Sequence, residues 1–139
     1  MELVSPIHGK MMYKNDEIIY FEKGIPGFDN LKKYIIKEVE NDSPFNILQS
    51  VEDKDIGFII IPPFFIHNDY EIKLSEEIIE KLNIENQEDV LLYSIVTLNS
   101  KVEDITANLK APLVINIKNK KGEQYIIDKE KYSIKEKIY

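Results

Sequence analysis

Apolar positions along this chain come in short runs separated by clusters of Asn, Asp, Ser, Gly and Pro, the pattern of a protein built from many strands. Ile18-Ile19-Tyr20-Phe21 lies between Asn15-Asp16 and Gly24-Ile25-Pro26-Gly27. Tyr34-Ile35-Ile36 precedes the turn-like Asn41-Asp42-Ser43-Pro44. Phe45 to Val51 and Phe58 to Ile61 follow, with Glu52-Asp53-Lys54-Asp55 as the hairpin loop between them. Phe58-Ile59-Ile60-Ile61 is apolar on both faces, which predicts a central strand. Val90 to Leu98 is the longest strand candidate. Leu113, Ile115 and Ile117 alternate with Asn116 and Lys118. Pro112 fits the start of that strand. Asn119-Lys120-Lys121-Gly122 then predicts a hairpin turn into Glu123 to Ile127.

One segment has the other period. Leu74, Ile78, Ile79 and Leu82 fall on one stripe at helical spacing. Ser75 stands at the N-cap, Glu76 and Glu77 sit in the first turn where the helix dipole favours acids, and Asn83 suits a left-handed stop. A helix of about two turns is too short for a crossover between parallel strands and is expected to close a barrel end. The pattern therefore predicts a single all-β domain, a mainly antiparallel β-barrel or twisted sandwich with one or two short helices. Residues 128–139 are Lys/Glu-rich with spaced Tyr132, Ile134, Ile138 and Tyr139, and read as a loosely packed C-terminal tail.

Composition narrows the chemistry. The 18 basic residues are all Lys, they face 25 acids, and the net charge is −7. A chain without Arg, the usual bidentate reader of phosphate and guanine, is not expected to bind nucleic acid. A basic protein partner suits that charge. Cysteine is absent, which excludes disulfides, thiol nucleophiles and thiolate metal sites. The first residues lack a secretory pattern, and the longest apolar stretch, Gly57 to Ile66, is broken by Pro62-Pro63 and too short to span a bilayer. These features predict a cytoplasmic protein with no membrane association.

Catalytic constellations fail on inspection. His8 and His67 have no metal-ligand spacing, and both read as structural or solvated. Asp53, Asp55 and Gly57 start like a calcium loop, but the glycine is one position early and Phe64 stands where the bidentate Glu belongs. There is no phosphate-binding glycine loop and no nucleophile elbow. Neither an enzyme nor a cofactor is expected. A small-ligand barrel or hydrolase is the alternative, and it would need polar groups among inward positions that are almost all Ile, Leu, Val and Phe. What stays unexplained is Phe64-Phe65-Ile66 after a diproline, followed by Asp69-Tyr70-Glu71. Aromatics rimmed by carboxylates make a protein-binding patch. The same phenylalanines could equally close the barrel bottom as core.

Four pieces, in order along the chain, give a resemblance: Ile19-Tyr20-Phe21-Glu22 with Gly24-Ile25-Pro26-Gly27-Phe28; Asp42-Ser43-Pro44-Phe45 with Leu48-Gln49-Ser50; Pro63-Phe64 with Asp69-Tyr70-Glu71; and Thr106-Ala107-Asn108-Leu109-Lys110-Ala111-Pro112 with Val114-Ile115-Asn116. Over roughly residues 7–127 the chain resembles the FliW family of flagellar assembly factors. Pro62 departs from that pattern, where Asn is common. The resemblance implies a non-enzymatic, chaperone-like β-barrel that binds flagellin in the cytoplasm. It also implies binding of CsrA, a basic RNA-binding dimer that represses flagellin translation, and hence a switch between the two partners. Phe64, Phe65 and Tyr70 are then the candidate anchors. Asp69, Glu71, Glu85, Glu88 and Asp89 are the candidate acidic contacts, and Asn108 of the fourth piece joins them.

Overall fold

The computed structural model describes residues 1–6, 9–40, 42–127 and 131–139; His8 lies outside them. Among the described residues the strands are β1 (Glu2–Ser5), β2 (Gly9–Met12), β3 (Ile19–Phe21), β4 (Lys33–Glu38), β5 (Asn46–Ser50), β6 (Gly57–Ile61), β7 (Val90–Thr97), β8 (Thr106–Ala107), β9 (Leu113–Asn116), β10 (Lys121–Gln124) and β11 (Glu136–Lys137). One α-helix, α1 (Glu76–Lys81), lies between β6 and β7. Short 3-10 turns at Asn15–Glu17, Pro63–Phe65, Gln87–Asp89 and Val102–Asp104 punctuate the loops.

Strands β3 to β7, β10 and β9 pair in a ring that closes through β7 and β9. The expected barrel is therefore present, closed rather than a sandwich, and antiparallel except where β3 meets β10. Alternation along each strand sends one set of side chains inward. Ile19, Phe21, Tyr34, Leu48, Ile60, Leu113 and Ile115 fill the interior, with Ile25 from the loop after β3 added as a plug. Phe21 and Tyr34 meet edge to face with centroids 5.6 Å apart.

Two glycines make this packing possible. At Gly24, with φ of +67°, a Cβ would lie 2.7 Å from the Phe28 carbonyl oxygen. At Gly122 a Cβ would lie 2.7 Å from the Phe21 ring. This second glycine corrects the predicted hairpin turn. Gly122 is needed inside β10 where β3 passes close by, and Lys120, at φ of +58°, takes the left-handed turn position instead.

Among the described residues, Tyr34 and Ser94 each bury a hydroxyl without a hydrogen-bond partner, and Tyr34 is the one that faces the barrel interior. Burial, and then the charge of Glu52, push the Tyr34 hydroxyl up to about 12. A buried unpaired hydroxyl costs about 1–3 kcal/mol. Tyr34→Phe is therefore expected to keep or raise the melting temperature, and a fall of several degrees in thermal denaturation would contradict this.

The outer wall is covered in three places. The β1–β2 hairpin, in a region with no predicted strand, lays Leu3 and Met11 over Ile35 and Ile47. Each of its strands sends little inward, so its sequence pattern is short. Helix α1 forms where expected, with the Ser75 Oγ accepting the Ile78 N–H at 3.3 Å. It does not close a barrel end: Ile78 and Leu82 pack on Val114, which faces out from β9. Asn116 fixes its far end by donating to the Leu82 and Asn83 carbonyls at 2.8 and 3.1 Å.

The third cover is the C-terminal segment, which corrects the expectation of a loosely packed tail for residues 131–139. Tyr132 is buried against Tyr70, Leu109 and Ile127. Strand β11 pairs with β8, and Ile138 packs with Ile61, Val96 and Ala107. The apolar residues spaced through this charged segment are what hold it.

Candidate partner-binding site

Strand β6 ends at Pro62-Pro63, and the chain winds into a 3-10 turn with the Ile66 N–H donating to the Pro63 carbonyl at 3.0 Å. That turn settles which side chains go in. Ile66 joins the apolar clusters below. Phe64 and Phe65 point out, 47% and 68% exposed. Of the two readings open for this pair, core or surface, the structure places both on the surface. The Phe64 ring still rests edge-on against Tyr70, centroids 5.8 Å apart.

Tyr70 is a correction to the candidate anchors. It is 4% exposed, and its hydroxyl donates to the Leu109 carbonyl at 2.8 Å. Burial, with Tyr132 adding to it, pushes that hydroxyl well above its ordinary value. Tyr70 supports the aromatic turn from beneath. It is held in turn by Tyr132, whose ring lies 4.5 Å away. The Tyr132 hydroxyl accepts the Glu71 N–H at 2.9 Å and donates to the Glu71 carbonyl at 3.1 Å. On the other side His67 Nε2 meets Glu136 of β11 at 2.6 Å.

Beside Phe64 an apolar groove of about 540 Å³ opens on the outer wall. Ile72, Leu74, Ile79 and Ile84 line it, together with Val90 and Leu92 of β7. Ile79 belongs to the predicted helical stripe, but a two-turn helix cannot bury four apolar side chains against one wall. Leu74 and Ile79 of that stripe line the groove, and Ile79 is the exposed one.

The candidate acids separate into two groups. Asp69, Glu71, Glu85 and Glu88 are exposed. Among them, Glu85 shares the groove lining with Phe64. Asp89 is corrected: it is buried, its carboxylate lies 3.5 Å from the Lys118 ammonium, and it accepts from Asn86 at 3.4 Å. Asn108 is half-buried and has a structural role. Its Oδ1 accepts the N–H groups of Lys110 and Ala111 at 3.1 and 2.9 Å, which shapes the loop between β8 and β9. Such side-chain-to-backbone bonds are how Asn stabilises turns.

Among the described residues, no helix is long and apolar enough to cross a membrane, and no three His, Asp or Glu residues could hold a metal ion. The arrangement is suited to holding another macromolecule: exposed aromatics, an apolar groove and an acidic margin.

The sequence profile described as FliW protein matches residues 2–138. This chain belongs to the FliW family. The flagellar assembly factor FliW of Clostridium novyi (strain NT) is 50% identical over 139 residues, covering 100% of this chain and 97% of its own. That of Clostridium botulinum (strain Okra / Type B1) is 49% identical, with the same coverage. A solved structure described as the crystal structure of the flagellar assembly factor FliW superposes with a TM-score of 0.91 at 37% identity, covering 100% of this chain and 97% of that one. In this FliW-family chain most of the motif residues that carry the resemblance hold the fold. Gly24 and Ile25 plug the barrel. The Gln49 amide donates to the Ser50 and Ile56 carbonyls, each at 3.0 Å, and the Ser50 Oγ accepts from Glu52 and Asp53. Of the four pieces, the one around Phe64 is the most outward.

Proposed function

We propose that this FliW-family chain is a cytoplasmic flagellar assembly factor that binds flagellin. When free of flagellin, it binds CsrA and relieves repression of flagellin translation. The observation that carries this reading is the exposed Phe64-Phe65 turn beside an apolar groove on a barrel of net charge −7. Aromatic residues with a polar rim are the usual anchors of protein interfaces. An acidic surface also attracts a basic partner. The test is calorimetric titration of the purified chain with flagellin and, separately, with CsrA. Saturable binding of each is expected, and no heat and no co-elution with either would overturn the reading.

The charge component has its own test. Glu71 is exposed at the margin of the aromatic turn. Rim charges act mainly on association rate and salt dependence. Glu71→Lys is expected to slow association with CsrA at low salt and to flatten the salt dependence, measured by stopped flow. An unchanged rate at low salt would remove Glu71 from the interface.

A further inference from the structure

The first half of strand β7 lacks a ladder partner on the β6 side, and the sequence explains why. The β6–β7 ladder runs through Ile60↔Ile95 and Ile61↔Ser94 and then stops. Continued in register, it would set Pro62 against Tyr93 and Pro63 against Leu92. Proline has no N–H to donate, and the chain leaves the ladder in a 3-10 turn that presents Phe64 while still touching β7. The first half of β7 is therefore paired only toward β9, from Val90↔Asn116 to Tyr93↔Leu113.

Ladder alternation identifies the free groups. On the β8–β9 side, the Ile117 N–H donates to the Asp89 carbonyl at 2.9 Å and the Asn108 N–H to the Ile95 carbonyl at 3.0 Å. Odd-numbered residues of this stretch thus face β8 and β9, and even-numbered ones face away. The Val90 N–H donates to Gln87. Among the described residues, the Leu92 N–H, the Leu92 carbonyl and the Val90 carbonyl have no backbone partner. Natural sheet edges are commonly guarded by Lys or Pro. Val90-Leu91-Leu92-Tyr93 carries neither, and Val90 and Leu92 line the groove.

We infer that a partner protein docks here by strand addition: an extended segment lies along β7, bonds to the free groups of Leu92 and Val90, and puts alternate apolar side chains into the groove. The charge around the groove sets the rest of its chemistry. Glu85 is in the lining, and Glu76, Glu77, Glu80 and Glu88 are exposed on α1 and the following turn. Among the described residues, Lys73 is the one cation in the lining, and Lys81 is engaged by Glu77 and Glu123. The added segment therefore carries Lys or Arg on its groove-facing positions or at its ends, flanking the apolar residues that enter the groove. Strand addition draws its affinity from main-chain bonds and its specificity from pockets for alternate side chains. This inference rests on the reading above that the chain binds a protein partner, and names how that partner docks.

The test uses short peptides tiled across flagellin and CsrA from the same organism. The tightest binder is remade with N-methyl groups on alternate residues, in both phases. Strand addition predicts that one phase weakens binding at least about tenfold while the other leaves it nearly unchanged. It also predicts at least about tenfold slower amide exchange at Leu92 in the complex. Equal effects of the two phases, a helical bound peptide, or unchanged exchange at Leu92 would overturn the inference. So would full-length partners that bind while no peptide does, and in that case the functional reading would survive. If neither full-length flagellin nor CsrA binds, that reading fails and the inference falls with it.

Discussion

Phe64→Ala is expected to weaken binding of flagellin or CsrA by at least about 2 kcal/mol, roughly thirtyfold in dissociation constant, while barely moving the melting temperature. The two halves of that expectation have separate causes. Phe64 is 47% exposed, so its truncation leaves no enclosed cavity. Its edge contact with Tyr70 is worth only about 0.5–1.5 kcal/mol beyond area burial. In a complex, by contrast, the ring stands at the mouth of the groove, where a partner would cover it. Calorimetry and thermal denaturation on one preparation separate these effects. A large drop in melting temperature with unchanged affinity per folded molecule would make Phe64 a core residue and remove it as an anchor.

Tyr132→Ala is expected to be the most destabilising change near the site, by about 3–5 kcal/mol, the range for truncating a large buried aromatic. The ring is 5% exposed and packs on Tyr70 at 4.5 Å. Its hydroxyl serves both backbone groups of Glu71, 61 residues away in sequence. Losing it leaves a cavity under the aromatic turn and unpairs a half-buried N–H and carbonyl. A loss of about 3 kcal/mol lowers the melting temperature by roughly 10 °C in a domain of this size. Tyr132→Phe keeps the ring and should cost about 1 kcal/mol. If Tyr132→Ala melts like the parent chain, residues 131–139 are not docked as described.

What was legible in the sequence follows the range of the forces involved. The strand runs and the helix at Ser75 were readable because periodicity and capping act between neighbours. Even Asn83 takes its predicted left-handed conformation, at φ of +52°. The turn after β9 was misplaced because Gly122 has two possible uses, a turn or a close approach. Only Phe21, distant in sequence, decides between them. The site shows the same division. The diproline marked a break, but Phe64, Phe65 and Ile66 are all apolar, and the geometry of one 3-10 turn selects Ile66 for the interior. Asp89 looks like any surface acid until Lys118 arrives from another loop. Tyr132 carried no local signal of burial, since its partners Tyr70 and Leu109 come from other parts of the chain.

The motifs that carried the family resemblance bear on function less directly than their recurrence suggests. Gly24, Gln49, Ser50 and Asn108 each satisfy a backbone requirement of the barrel. They identify the scaffold on which the aromatic turn is displayed. The groove beside that turn is assembled from Ile72, Leu74, Ile79, Ile84, Val90 and Leu92, which no short motif links.

The central claim is that flagellin and CsrA are antagonistic ligands of this chain. A chain of 139 residues has limited surface for two interfaces of about 800 Å² each. Overlap or coupling is then expected, and linkage makes the effect reciprocal. The most direct measurement is the dissociation constant of CsrA for the chain alone and for the chain saturated with flagellin. The account predicts weakening of at least about tenfold, or 1.4 kcal/mol of coupling. An identical dissociation constant in the two titrations would contradict it.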